Sequence, residues 1–426
     1  MISQLIFLIL FGSALYFFVL NIKKIRRNIL LGKDKNLSDK KPTRWRNMAL
    51  MALGQKRMFD RPVSAFFHIL IYVGFVLINL EVLEILIDGA LGTHRIFESF
   101  LGDFYYVLIG FFEILAAGVL LACLVFLLRR YVTKVPRLRH SDLEGFPIKD
   151  ATAILCIEIL LMGAVLLMNI SDTALQNAAW MPVSMWIAPL FNYLDAHTLH
   201  QIERSAWWGH LIGILLFLNY LPFSKHFHII TAFPNTWYAN LENTGKLENL
   251  QSVAQEVSLM MDASAVPPDG YEPPAHFGVK DIKDLSWKNL LDAYSCTECG
   301  RCTSVCPANL TGKLLSPRRV VMKVRDRMEE IGQNLDKHGP DFADEKDLHS
   351  YISAEELWAC TTCNACVEAC PVQINPMEVI YTMRQYLVME KSAAPNELNA
   401  MFSNLENNGA PWQFSAMDRA NWAKES

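Results

Sequence analysis

Charged side chains are scarce in this 426-residue sequence: Asp, Glu, Lys and Arg make up 19% of it, against 52% hydrophobic residues. The shortage is greatest before residue 230, where long apolar runs dominate. The formal net charge is only −4, so the chain lacks the strongly basic balance that is typical of nucleic-acid-binding proteins. We therefore expect no nucleic-acid partner, and a first half that is embedded in membrane lipid.

Two signatures of nucleotide chemistry are also missing. Neither a G-x-G-x-x-G run nor a phosphate-binding loop occurs, which excludes the common nucleotide-binding fingerprints. The alternation of apolar and polar residues that marks a half-buried strand is absent as well. The sequence therefore predicts an all-α fold.

Five segments are long and apolar enough to cross a bilayer, which takes about 20 residues. Basic residues follow the first, third and fifth segments, whereas the loops after the second and fourth carry few. By the positive-inside rule, the N-terminus lies outside a bacterial-type inner membrane and the chain beyond the fifth crossing lies in the cytoplasm. We place the crossings near residues 2–21, 63–87, 104–128, 150–170 and 205–225.

Composition divides the whole chain into four parts. We expect a transmembrane domain at 1–230, a linker at 231–290, a helical domain at 291–391 and a C-terminal tail at 392–426. Between the first two crossings, residues 43–62 predict a helix on the inner membrane surface or, alternatively, a solvated basic loop. Helix starts in the helical domain are marked by N-cap and capping-box patterns at Ser316–Pro317, Ser353–Glu356 and Asn375–Pro376.

Eight of the ten cysteines fall between residues 296 and 370, in the runs CTECGRCTSVCP and CTTCNACVEACP. Both have the spacing C-x2-C-x2-C-x3-C-P, which is typical of two-cluster ferredoxins in which the fourth cysteine ligates the other cluster. Zinc, the alternative, seldom uses eight cysteines in a repeated pattern. We therefore assign Cys296, Cys299, Cys302 and Cys370 to one [4Fe–4S] cluster, and Cys306, Cys360, Cys363 and Cys366 to a second.

Histidines in the apolar half are candidates for function because ligating groups are costly inside a bilayer. His68 and His228 lie at one depth on neighbouring segments, where two imidazoles could hold a b-type haem; interfacial histidines bonded to headgroups or backbone are the alternative. His210 precedes His228 by 18 residues, or five turns. A continuous helix would place both on one face and turn His226 elsewhere, whereas a kink at Pro222 would change this relation.

The stretches GQKRMFDRPVSAFFHILIYVGF and HLIGILLFLNYLPFSKHFHIITAF resemble the cytochrome b (gamma) subunit of respiratory nitrate reductase and related membrane subunits of heterodisulfide reductase-like complexes. The cysteine runs, the first within DAYSCTECGRCTSVCPANLTGKLLSPR, resemble the helical ferredoxin module of the same complexes. The gamma subunit stacks two haems between two helices. The resemblance maps its inner histidine pair onto His68 and His228, but its outer pair would need a histidine at Ile78. Because position 78 is not histidine, the resemblance implies a single haem b.

His210 is left without a partner and needs another role. Glu84 and Glu113 lie at a comparable depth, and oxidation of a quinol releases two protons that an adjacent base must accept. We therefore expect a site for menaquinone or another quinone at His210, Glu113 and Glu84. A hydrogen-bonded structural cluster, or a quinone site beside the haem, is the alternative, and Glu158 remains without a role.

The CCG runs that carry the active-site cluster of heterodisulfide reductases are absent. The resemblance therefore implies an electron-transfer subunit that connects quinone, haem and clusters to a cytoplasmic partner, either a CCG-domain iron–sulfur protein or a flavoprotein subunit. The alternatives are a component of an electron-transfer flavoprotein:quinone oxidoreductase, a haem-free redox sensor and a structural anchor.

Overall fold

Helices form all the regular structure in the described part of the chain. The computed structural model describes residues 1–178, 180–242, 245–247, 249–262, 264–267, 270–271, 274–413 and 415–424. Within these ranges no strand occurs, only an isolated bridge between Lys33 and Ser286, so the predicted all-α class is confirmed.

Five helices are long and apolar enough to span a membrane, and the chain is accordingly a membrane protein. They are α1 (Ile2–Ile29), α3 (Pro62–Leu91), α5 (Asp103–Tyr131), α6 (Phe146–Ser171) and α9 (Ala196–Tyr220, continued by a 3-10 turn to Phe223). Each overlaps one predicted crossing. Shorter helices lie between them: α2 (Lys41–Met48), α4 (Glu98–Leu101), α7 (Thr173–Ala178) and α8 (Ser184–Ile187).

The bundle is built by packing of neighbours along the chain: α3 against α5, α5 against α6, and α6 against α9, with α1 across α3 and α9. Small residues allow this close approach. A Cβ at Gly74 of α3 would lie 2.5 Å from the Val119 side chain of α5, and Ala116 and Cys123 of α5 are fully buried.

The second half of the chain forms ten shorter helices among the described residues. They are α10 (His228–Trp237), α11 (Gln251–Met261), α12 (Trp287–Ser295), α13 (Arg301–Ser304), α14 (Pro307–Leu310), α15 (Pro317–His338), α16 (Ala354–Trp358), α17 (Ala365–Glu368), α18 (Pro376–Met389) and α19 (Asn396–Asn408). The predicted helix starts are confirmed, because the side chains of Ser316, Ser353 and Asn375 each accept a bond from the third helical N–H.

Helix α1 continues eight residues beyond the predicted crossing because its end docks on the second half of the chain. Asn28 donates to the Tyr294 hydroxyl at 3.1 Å, and Arg27 donates to the Gly332 carbonyl at 2.8 Å. Gly332 is required here, since a Cβ would lie 2.4 Å from the Asn28 side chain. The basic residues that end the first crossing therefore also fasten the two halves together.

The range expected to be a linker is partly structured. It contains most of α10 and all of α11, and Val279, Ile282 and Leu285 are buried in the core of the helical domain. Residues 268–269 and 272–273 of its proline-rich stretch lie outside the described residues.

The chain is not one continuous helix from His210 to His228, and the interruption includes Pro222, the residue at which the sequence allows a kink. Helix α9 ends at Tyr220, and Ser224 is extended with ψ 151° before α10 starts at His228. Pro222 stands in the intervening 3-10 turn, where it removes a backbone donor. Turn counting across this break therefore does not give the relative direction of the histidines.

Candidate iron–sulfur and histidine sites

The structure brings the eight clustered cysteines together in two crossed groups. Cys296, Cys299, Cys302 and Cys370 line one cavity, here called pocket A. Cys306 lies near Cys360 and Cys366, and both of these lie near Cys363; this group of four is called pocket B. Each fourth cysteine thus lies with the other run, as the sequence predicts for ligands of two clusters.

Both pockets use the same loop geometry. Glu298 and Gly300 have positive φ in the first loop, and Thr362 and Asn364 have it at the equivalent places in the second. At Gly300 the reason is also steric, because a Cβ would lie 2.4 Å from Arg318 Nη1. These left-handed positions turn the chain around a centre, so that successive cysteines point inward.

The donor set fits iron–sulfur clusters. Burial raises the pKa of Cys296 to about 11 and of Cys366 to about 12, so cluster binding would displace protons from these thiols. Backbone amides also reach the sulfurs, with Ile374 N–H donating to Cys370 Sγ at 3.3 Å.

Pocket A is enclosed by buried arginines that join it to the membrane domain. Arg301 donates to the Arg57 carbonyl at 2.7 Å, and Arg318, which is fully buried, donates to the Arg137 carbonyl at 2.7 Å. Arg318 also pairs with Asp142. Burial alone would raise the pKa of Asp142, but Arg318 holds it below its ordinary value.

His68 and His228 face each other in a geometry that suits an iron between them. Their ring centroids are 6.5 Å apart, close to the roughly 6 Å expected for two rings on one metal with bonds of about 2 Å. His68 Nδ1 bonds to Gln55 Oε1 and His228 Nδ1 to the Lys225 carbonyl, both at 3.0 Å. Because both Nδ1 atoms face oxygen acceptors, the Nε2 lone pairs are free to ligate a metal, as in typical metal-bound histidines.

Counting helical turns along the sequence did not predict that His226 lies beside His228. Its ring lies 5.6 Å from that of His228 and 5.2 Å from Phe217, so it belongs to the same cluster. The break at Ser224 turns it inward, and no periodicity in the sequence announces this.

A buried ion pair joins the histidine pair to pocket A. Lys225, whose carbonyl holds His228, pairs through its ammonium with Glu298, which stands between Cys296 and Cys299. Glu298 also pairs with Arg325 at 2.5 Å. Burial opposes ionisation of Glu298, but Arg325 and Lys225 together hold its pKa below the ordinary value.

Of the predicted quinone-site residues, Glu84 and Glu113 lie in one hydrogen-bonded network, and His210 lies apart from it. Arg95 connects the two glutamates, because it donates to the Tyr105 hydroxyl on the Glu84 side and to Asn169, which donates to Glu113. Glu84 accepts bonds from the Tyr105 hydroxyl and the Phe97 N–H, and Glu113 accepts from the Ser184 N–H at 3.1 Å. His210 instead bonds through Nδ1 to the Leu161 carbonyl at 3.0 Å. Among the described residues, His210 makes no contact with either glutamate and shares a cavity with Glu158 and Ile78.

Part of the second half of the chain matches a known family of iron–sulfur domains. Residues 295–374 match the model of the 4Fe-4S dicluster domain. The chain is thus similar in sequence to iron–sulfur oxidoreductases. No solved structure gives a significant match.

Three known proteins are similar to this chain in sequence. The chain is 27% identical over 454 residues to the "Probable iron-sulfur-binding oxidoreductase FadF" of Bacillus subtilis, covering 100% of this chain and 61% of that protein. It is 26% identical over 431 residues to the "EtfAB:quinone oxidoreductase" of Syntrophomonas wolfei, covering 95% of this chain and 57% of the relative. It is also 29% identical over 147 residues to one subunit of the dihydromethanophenazine:CoB--CoM heterodisulfide reductase of Methanosarcina mazei, covering 33% of this chain and 35% of the relative. This chain thus spans about three fifths of the first two relatives.

Proposed function

We propose that the chain transfers electrons between the quinone pool and a redox partner by way of a haem b and two [4Fe–4S] clusters. The observation that carries the proposal is the join between the histidine pair and pocket A through Lys225 and Glu298. A haem held by His68 and His228 would supply one-electron chemistry at the membrane end of the cluster domain.

The order of the centres follows from their surroundings. Pocket A contacts the membrane domain through Arg57 and Arg137, whereas Cys363 of pocket B is exposed. The path is therefore quinone, haem site, pocket A, pocket B and then the partner. The positive-inside pattern supports a cytoplasmic position for both pockets, with the N-terminus outside.

The residues of this chain fix the geometry of that path. Gln55 and the Lys225 carbonyl orient the two imidazoles, and the Lys225–Glu298 pair holds pocket A against them. The buried guanidinium groups of Arg301 and Arg318 offset the negative charge that four thiolates would bring into the protein interior.

The partner we favour is a flavoprotein of the electron-transfer type. The relative named "EtfAB:quinone oxidoreductase" supports this choice because it aligns with 95% of the chain. A CCG-domain iron–sulfur protein is the second candidate, supported by the match to part of a heterodisulfide reductase over 33% of the chain.

A reduced-minus-oxidised spectrum of the purified chain, with iron and haem assays, tests the proposal. From the cysteine and histidine patterns, we expect about eight non-haem irons and about one haem per chain. His68→Ala should remove the haem and leave both clusters, and His276→Ala serves as a histidine control in the soluble domain. Wild-type protein without haem, or His68→Ala protein that keeps it, would contradict the assignment.

A further inference from the structure

A cavity of about 80 Å³ opens among α3, α5, α6 and α9, apart from the histidine pair. Most of its lining is apolar, but Asn79, Glu158 and His210 also reach it. A few polar groups converging in an apolar cavity are the usual composition of a small-molecule site. The sequence-based interpretation did not join these three residues, because they come from three different helices.

His210 presents an unused acceptor to this cavity. The side chain is 1% exposed, and its Nδ1 donates to the Leu161 carbonyl, so in the neutral ring Nε2 carries the lone pair. Nε2 is buried without a partner among the described residues. Leaving such an acceptor unsatisfied is unfavourable, and a hydroxyl donor in the cavity would remove that cost.

Glu158 supplies a second proton acceptor. It lies on α6 one turn before Leu161, the residue that orients His210, and is mostly buried. Its carboxylate makes no hydrogen bond with a described side chain or backbone group. Two unpaired acid–base groups thus reach the same apolar space.

The cavity connects to lipid on one side and to the histidine cluster on the other. Phe75, 39% exposed on α3, stands at its mouth beside Asn79, whose amide donates to the Phe75 carbonyl. At the inner end, Phe217 lines the cavity and contacts His226, which contacts His228. A lipid-soluble molecule would therefore enter from the bilayer and lie two aromatic rings from the proposed haem ligand.

We propose that this cavity is the quinone site and that His210 and Glu158 exchange its two protons, an inference that rests on the proposed function. When a quinol is oxidised, its two hydroxyl protons go to His210 Nε2 and the Glu158 carboxylate. Its two electrons go one at a time to the oxidised redox groups of the proposed path, and quinone reduction reverses both transfers. Glu158 thus takes the place that the sequence suggested for Glu84 and Glu113.

The test uses the full chain in lipid nanodiscs, with menadiol as reductant and a fluorescent hydroxyquinoline N-oxide as the binding probe. Glu158→Gln and His210→Gln should slow haem reduction by menadiol about 100-fold, the scale of general-base catalysis, while reduction by dithionite stays normal. Ile78→Phe, which fills the cavity, should abolish probe binding. Leu80→Phe on the lipid-facing side of the same helix, 46% exposed, should not.

The outcomes separate the two proposals. Wild-type protein that menadiol cannot reduce would overturn both. If menadiol reduces the wild type and both polar variants at one rate, or Ile78→Phe still binds the probe, only the cavity assignment fails. Loss of activity in Glu113→Gln with Glu158→Gln unaffected would move the site to the outer glutamates. Should His210→Gln lose its haem or clusters, Ile78→Phe decides, because it leaves every polar group in place.

Discussion

Pockets A and B share one local design but have different surroundings. In each, a loop with two left-handed residues carries three cysteines, and the fourth comes from the other run. Pocket A is enclosed, and Arg301 and Arg318 line it. Pocket B has the exposed Cys363 and lies beside Arg384, which donates to the Leu357 carbonyl at 2.8 Å and to the Cys360 carbonyl.

The comparison teaches that cysteine spacing sets the ligand geometry, whereas the tertiary surroundings set the redox properties. Nearby positive charge favours the reduced, more negative form of a cluster. We therefore expect a higher reduction potential at pocket A than at pocket B. An electron would then reside next to the membrane domain until the partner exchanges it at pocket B.

The largest expected effect is loss of one cluster by a change in the other run. Cys370→Ser should remove about four irons and the same electron paramagnetic resonance signal that Cys302→Ser removes, because both residues line pocket A. Cys306→Ser should remove the other signal, together with Cys366→Ser. If Cys370→Ser instead matches Cys366→Ser, the ligands are not crossed.

A smaller effect should follow from breaking the buried pair beside pocket A. Arg318→Ala leaves the Asp142 carboxylate buried without its guanidinium partner, which costs about 3–5 kcal/mol. The temperature at which cluster absorbance is lost should fall clearly. Lys323→Ala on the same helix is the control, since Lys323 pairs at 3.0 Å with Asp326, whose carboxylate is exposed to solvent. Equal losses in both variants would show that burial of Arg318 is unimportant.

The expected difference in reduction potential between the two clusters should become smaller when the charges near them are removed. A unit charge at about 8 Å, with an effective dielectric constant of about 20, changes the free energy of reduction by about 2 kcal/mol. Arg301→Gln should therefore lower the potential of the pocket A cluster, and Arg384→Gln that of pocket B by less. Redox titration of both signals measures this. An unchanged pocket A potential in Arg301→Gln would argue against charge as the origin of the asymmetry.

The smallest effect concerns the surface pair between the two domains. Arg57 pairs with Glu368 at 3.3 Å, but Glu368 is exposed, so Glu368→Gln should cost less than about 1 kcal/mol. Thermal stability of the clusters at low and high salt measures it. Arg57 also donates to the Val367 and Cys370 carbonyls, so Arg57→Gln should cost more, and the reverse ranking would be unexpected.

Much of the fold was readable in advance because its signals are local. The five crossings follow from long apolar runs, and the helix starts at Ser316 and Asn375 follow from side chains that bond within one turn. Pro222 indicates a possible kink, but the full break at Ser224 is not predictable from the sequence, because helix continuation depends on what the next residues pack against.

The sequence alone predicted the candidate ligands and determined the five long apolar segments, since spacing and hydropathy act over a few turns. Only the tertiary structure decided which groups meet across helices. It placed His210 and Glu158, which are distant in sequence, along one cavity, and it placed Glu84 and Glu113 in a separate hydrogen-bonded network. It also paired Glu298 with Lys225, next to the histidine pair. The physical reason is that helix rotation and packing, which no local pattern encodes, set the direction of every inward side chain.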